Sequence, residues 1–519
     1  MPSNETYVSK ILEVISAEPE KVVLSWRDRT LTAAQLTALV RSAAHSLHRH
    51  AGGSDASGGT AGTVVAILTV TNTGPTLVLR YAANLIGATV VHLHTTNAVD
   101  PADHLAADAK LKVLRDTGAT HLAVDAENVA TARELRERLG TPLALVALGD
   151  LGPDVLDLTA GDADALDPSA MGIGLDRPAV VTYTSGTTGE PKGIAFDFRT
   201  RNGFISAGLQ MGWRSVYLAC LPLSHSSGAT ADDSLASGGS VVLRDGFDPG
   251  DALRCIEQYK ITRMLLSPPQ LYLLMDRPEV GSTDLSSLQM VTYVGSPASP
   301  ERLAEAVKVF GDVLIQVYAT SEAGFVSMLS PAEHLDPRLR ETVGRPMPGW
   351  VRITDPDDHR DLSLGEIGEV CVRSAFTMSA YVAEPELTAR TVRDRWVHTG
   401  DLGFVDGDGY LHLRGRIGEV IKTNGIKIHP VTVENAFLAH PDVAQAAVFC
   451  VKDRDRIEHL HAAVVLRAPG AVTPEELAEH IRATISPKHV PADIRVRPAL
   501  PLTGVGKPDK ARLAAEAGA

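Results

Sequence analysis

Cysteine is scarce in this 519-residue chain: Cys220, Cys255, Cys371 and Cys450 are scattered along it. No two have metal-ligand spacing, and nothing resembles the dense framework of a secreted disulfide scaffold. All four read as reduced core thiols. Positive charge is in deficit as well, with 49 Lys and Arg against 63 Asp and Glu, a formal net charge of −14. A generic nucleic-acid surface is basic, so no nucleic-acid partner is expected. A few local cations can still hold a phosphate in an acidic protein. No run reaches the ~18 continuous apolar residues of a membrane span. Residues 1–23 carry acidic and polar side chains throughout, which leaves no apolar signal-peptide core. A cytoplasmic chain without a membrane partner is expected. Internal repeats are absent too.

What is present is ordinary globular composition, 44% apolar and 22% charged, with length for about three to four units of ~150 residues. Apolar strand-like runs (residues 64–68, 89–91 and 143–148) alternate with helical patterns such as 76–86. Such alternation argues for a parallel sheet covered on both faces. A second alternating set runs from Val180 to about Ser330. Between Thr342 and Arg414, short strands separated by Gly, Pro and Asp turns predict a small β-barrel or meander. Beyond Arg416 a compact pattern returns, with strands at 446–449 and 462–466 and a helix at 474–485. The expected architecture is α/β. A large N-terminal core over residues 1–415 combines parallel-type α/β subdomains with a small barrel. A small, mobile α+β domain over 416–519 follows, with the boundary at Gly415–Glu419. The low-complexity stretch 51–62 reads as a flexible surface loop.

The sharpest local signal is Thr184-Ser185-Gly186-Thr187-Thr188-Gly189-Glu190-Pro191-Lys192-Gly193, directly after the apolar run 179–183. Its glycines let backbone approach a polyphosphate closely. Hydroxyls and amides can donate to phosphate oxygens, and Lys192 adds charge. The pattern is not the Walker loop, which needs GxxxxGK[ST]. It resembles the phosphate-loop signature of the adenylate-forming superfamily, which comprises acyl-CoA synthetases, peptide-synthetase adenylation domains and beetle luciferases. Further matches follow in that superfamily's order, so the resemblance covers nearly the whole chain.

The resemblance implies ATP and Mg²⁺ chemistry with assigned roles. Tyr318-Ala319-Thr320-Ser321-Glu322 is similar to YGxTE. Tyr318 is implied to pack on adenine, Ser321 to contact the α-phosphate or carboxylate, and Glu322 to hold Mg²⁺, which favours carboxylate and phosphate oxygens. Ala319 stands where glycine is usual and adds a methyl group near the acyl pocket. Gly295-Ser296-Pro297 resembles the adenine-side loop. Thr399-Gly400-Asp401 resembles the ribose-binding motif, with Asp401 accepting from both hydroxyls and Arg416 adding a ribose or phosphate contact. Pro501 to Lys510 resembles PxTxxGKxxR/K, whose lysine, Lys507 here, reaches the carboxylate and α-phosphate during adenylation. A flexible ammonium suits charge that accumulates at pentavalent phosphorus. The superfamily's hinge Asp or Lys falls at Gly418, while Lys422 and Gly425 match positions facing the second-step nucleophile.

Leu221 to Gly228 matches the segment that opens the acid pocket. His225 stands where amino-acid adenylation domains place an Asp nearby for an α-ammonium, which points to aryl or simple acyl acids. Ser227, Ala231, Asp232 and Ala319 are the other expected pocket residues. His225 and Asp232 are about two helical turns apart and so share a face if one helix holds both. Either Asp232 or Asp233 binds an amino or hydroxyl group of an aryl substrate, or both are solvated or interface acids. The implied reaction is activation of a small acid as acyl-AMP, then transfer to the thiol of CoA. Carrier-protein pantetheine is one alternative acceptor. An amine is another, as in amide- or diazo-forming relatives, some of which activate nitrite for an aryl amine.

Overall fold

The computed structural model describes residues 5–52, 62–94, 105–167, 171–185, 191–423, 425–503 and 506–518. It divides into two compact units. The first comprises 1–265, 284–289 and 375–390, and the second 266–283, 290–374 and 391–519.

The first unit carries an eight-stranded sheet. In spatial order its strands are Ala380–Tyr381, Pro191–Asp197, Pro178–Ser185, Thr89–His92, Val64–Leu68, His121–Val124, Ala144–Ala147 and Val155–Asp157. From Pro178–Ser185 through Val155–Asp157 the pairings are parallel. The inner strands are buried along their length, as a parallel sheet covered by helices requires. The helix expected at 76–86 spans Gly74–Leu85, and the strand expected at 143–148 is Ala144–Ala147. A second set of parallel strands, Val22–Trp26, Val216–Ala219, Ser240–Leu243 and, but for its last residue, Arg263–Leu266, lies in the same unit. Helix Ser226–Ala236 links the Val216–Ala219 and Ser240–Leu243 pair. Most of the expected loop at 51–62, residues 53–61, lies outside the described residues.

The second unit contains parallel strands Met290–Val294 and Leu314–Thr320, then antiparallel Gly324–Leu329. Its small antiparallel sheet joins Val351–Thr354, Gly368–Val372, Trp396–Val405 and Val392–Arg393, with Leu411–Arg416 paired to Trp396–Val405. This is the meander expected between 342 and 414. Beyond it come a hairpin, Ile421–Thr423 with Ile426–Ile428, and the sheet Val443–Lys452, Glu458–Leu466, Asp493–Val496. Helix Pro474–Thr484 starts where the sequence signals it. Thr473 caps it, and Glu476 returns the bond in a capping box.

The four cysteines are free thiols, three of them buried. Burial pushes the Cys371 thiol up to about 11. No helix among the described residues is long and apolar enough to cross a membrane.

Candidate active site

Within the second unit, strand register assembles one polar cluster. Asp401 and Arg416 face each other across paired strands, and Arg416 Nε donates to Asp401 Oδ1 at 2.8 Å. The Tyr318 hydroxyl donates to Asp401 Oδ2 at 2.6 Å. A register shift at Tyr318/Ala319 interrupts the pairing of that strand, the kind of irregularity that re-aims side chains beside sites. Burial, then the neighbouring Asp401 carboxylate, raises the Tyr318 pKa, so the phenol keeps its proton and remains a donor. Burial works against the Arg416 charge, but Asp401, with smaller help from Glu419 and Glu322, more than offsets it.

Lys507 comes to the same cluster. Gly295 has φ +98°, and a Cβ there would lie 3.0 Å from Lys507 Cε, so a side chain at 295 would press on the lysine stem. The backbone before Lys507 is anchored. Ser267 Oγ donates to the Gly506 carbonyl at 2.7 Å, and at Gly506, φ +78°, a Cβ would strike Gln270. The Lys507 side chain keeps solvent access yet sits in a dense shell. Desolvation, then Arg416, lowers its pKa, opposed by Asp401, Glu419 and Glu322. Glu322 is half-buried and Ser321 exposed. The Ser296 hydroxyl is enclosed with no hydrogen-bond partner among the described residues. Glu322, a half-buried carboxylate near Lys507 and Arg416, is the kind of donor Mg²⁺ takes, since that ion uses few protein ligands and completes its shell with other oxygens.

In the first unit, strands Pro178–Ser185 and Pro191–Asp197 pair antiparallel, with Thr184 opposite Lys192 and Ser185 opposite Pro191. Gly186, Thr187, Thr188 and Gly189 lie outside the described residues, so the phosphate loop is framed only by its ends.

The acid-pocket segment differs from expectation. His225 caps helix Ser226–Ala236 in extended backbone, its Nδ1 2.9 Å from Ser224 Oγ. Apart from Ser226 and Ala229, every residue of the helix is buried. Ser227 hydrogen-bonds the Tyr217 hydroxyl at 2.9 Å and Ala231 is wholly enclosed, so neither faces an open pocket. Asp232 is fully buried. It accepts from Tyr81 at 2.7 Å and pairs with both Arg80 and Arg201. It is therefore neither a substrate contact nor a solvated acid, because a carboxylate deep in the core is held there by its cations. Asp233 pairs with Arg263 at 2.5 Å, while its Oδ1 fills the space that a Cβ at Gly208 would occupy. Sequence reading missed Arg80, Tyr81 and Arg201, which carry no local motif.

Of the residues expected on the acceptor side, Gly418 lies in the 3₁₀ turn Ile417–Glu419, where a Cβ would meet nothing within 4 Å. Gly425, φ +74°, turns the 421–428 hairpin. Lys422 is exposed, and its backbone N–H donates to Glu458 at 2.8 Å.

The chain matches the family described as AMP-binding enzyme over residues 12–382, and the AMP-binding enzyme C-terminal domain over 432–507. It belongs to the AMP-binding enzyme family. Among relatives of this AMP-binding enzyme, the indoleacetate–CoA ligase of Aromatoleum aromaticum is 32% identical over 512 residues, 94% of each chain. The medium/long-chain-fatty-acid–CoA ligase FadD8 of Mycobacterium tuberculosis is 34% identical over 447 residues, 82% of this chain and 77% of that protein. The solved structure of the amide bond synthetase McbA from Marinactinospora thermotolerans is 34% identical. It covers 99% of each chain with a TM-score of 0.85. The AMP-binding enzyme has the adenylate-forming fold and is an AMP-forming ligase.

Proposed function

We propose that this AMP-binding enzyme activates a small aryl or acyl carboxylic acid and transfers it to the thiol of CoA. In the first step the substrate carboxylate attacks the α-phosphorus of ATP, and the bond to pyrophosphate breaks. In the second the thiol attacks the acyl-AMP carbonyl, loses its proton and expels AMP. The observation that carries the reading is the convergence of Lys507 on the cluster of Tyr318, Asp401, Arg416 and Glu322. Asp401 and Arg416 hold ribose, and Tyr318 lies against adenine. Lys507 and Ser321 meet the carboxylate and α-phosphate, with Lys192 and residues 184–189 on the outer phosphates. Glu322 would hold Mg²⁺, which neutralises phosphate charge when bound. His225 and Ala319 border the acid, and the adenylate loop 295–296 lies on the base. Residues 416–519 turn about Gly418 to bring Lys422 and Gly425 to the acceptor.

A second reading, in which an amine replaces the thiol, is favoured by the likeness to McbA over nearly the whole chain. The deciding experiment is pyrophosphate exchange over a panel of aryl, fatty and indolyl acids. Acids that exchange are then incubated with CoA, a phosphopantetheinyl carrier protein or an aryl amine, and the products weighed. A thioester of CoA supports the first reading. An amide formed with no thioester replaces it by the second, and no exchange with any acid counts against both.

A further inference from the structure

The small sheet that carries Asp401 gathers a second set of donors. Among the described residues, His359, Glu369 and His398 each offer a ligand atom, and these atoms all lie within 4.8 Å of one another. Glu369 and His398 stand on neighbouring strands, both nearly buried, with His398 Nδ1 2.8 Å from Glu369 Oε2. His359 comes from the turn between Val351–Thr354 and Gly368–Val372. Its ring meets that of His398 edge-to-face, centroids 5.2 Å apart. None of the three belongs to the ATP-site set.

We propose that His359, Glu369 and His398 form a binding site for a divalent transition metal, zinc foremost, with water as the fourth ligand. Two imidazoles and a carboxylate are a donor set that zinc takes with three protein ligands, at bonds of about 2.0–2.2 Å. Tetrahedral geometry at those lengths separates the donors by roughly 3.4 Å. The His398–Glu369 contact must therefore open by a few tenths of an ångström. His359 starts within 4.8 Å of the other two donors, and its exposed position in a turn permits it to close on them. The metal takes the place of the hydrogen bond between His398 Nδ1 and Glu369 Oε2, and a neutral imidazole then carries its proton on Nε2. Mg²⁺ and Ca²⁺, which prefer all-oxygen shells, fit poorly.

One neighbour competes. Arg393 Nη1 lies 2.5 Å from His359 Nε2, so a metal bound through that nitrogen displaces the guanidinium. The other oxygen of Glu369 accepts the Gly400 amide at 3.0 Å. A bound metal would hence brace the turn that presents Asp401.

The test uses the full-length, metal-stripped protein without nucleotide or Mg²⁺. Zn²⁺ is titrated in competition with a chromophoric chelator, and Co²⁺ is followed by its visible absorption. Expected is one equivalent bound. His359→Ala, on an exposed side chain and verified as folded by circular dichroism, should weaken binding at least tenfold. Arg393→Gln should tighten it. The proposal is overturned if the parent shows no stoichiometric binding, or if His359→Ala binds as tightly as the parent. Weaker binding in Arg393→Gln would contradict it equally.

Discussion

Tyr318 and Asp401, 83 residues apart in the chain, are joined by a 2.6 Å hydrogen bond from phenol to carboxylate. Asp401 meets Arg416 through its other oxygen, so a motif acid is held in place from two sides. Asp401→Ala should therefore weaken AMP binding twice over, by removing a ribose acceptor and by releasing Arg416. Each charged hydrogen bond is worth on the order of 1.5–3 kcal/mol. Calorimetry with AMP is the measurement, and Tyr318→Phe should lose less than Asp401→Ala. Unchanged AMP affinity in Asp401→Ala would remove the ribose assignment.

Lys507→Ala should abolish pyrophosphate exchange, with a loss of roughly 10²–10³-fold by analogy with removal of one oxyanion donor. Transfer from pre-made acyl-AMP should survive, because that step attacks the carbonyl carbon and phosphorus never becomes pentavalent. Exchange near the parent's rate would sink the role given to this lysine.

Much of this was legible in the sequence because the superfamily's motifs are short and local. Thr399-Gly400-Asp401 and the Gly506-Lys507 pair can be read without knowing their neighbours. The partners of Asp232 could not, since Arg80 lies 152 residues away and Arg201 lies 31. A carboxylate on a helix face looks the same in sequence whether it meets solvent, substrate or two buried guanidinium groups. The alternating pattern of the first unit predicted its strands well because parallel strands are uniformly apolar, while the ends of helices shifted by a residue or two.

Asp232→Asn and Asp232→Ala should act on folding rather than on choice of acceptor. Removing the carboxylate strands two cations in the core, a class of change that costs about 3–5 kcal/mol. The expected result is a markedly lower Tm with no selective rise in KM for an amine. A variant of parent stability whose amine affinity alone is lost would restore Asp232 to the pocket.

Acid should unfold the first unit through two buried histidines. Burial depresses His121 to about 4 and His92 to about 3, both below the ordinary histidine value. Neutral forms are favoured in the folded state, so this stability is complete above about pH 6.5 and is lost as pH falls toward those values. Each histidine adds a slope of about 1.4 kcal/mol per pH unit within that window. Urea midpoints measured from neutral pH downward should show it, and His121→Gln should flatten the curve. A curve of unchanged slope in that variant would exclude His121.

Gly418→Pro should separate the two half-reactions. The turn at 417–419 has room for a side chain, so the substitution acts through fixed φ rather than through a clash. One of adenylation or acyl transfer should persist while the other is lost, as read by exchange and by thioester formation from pre-made acyl-AMP. Equal retention of both would show that Gly418 is not the pivot.

With His225 bordering the acid as proposed, the enclosure of helix Ser226–Ala236 sets a practical limit on changing what this ligase accepts. Saturation libraries spread evenly over 226–236 would spend most of their members on positions locked against the core, where unfolded clones dominate the screen. Variation concentrated at His225, Ser226 and Ala229 samples the side that the protein leaves free to differ. Even there the Arg80–Asp232–Arg201 knot fixes the helix, so new substrates must be fitted by side-chain size and not by moving the backbone.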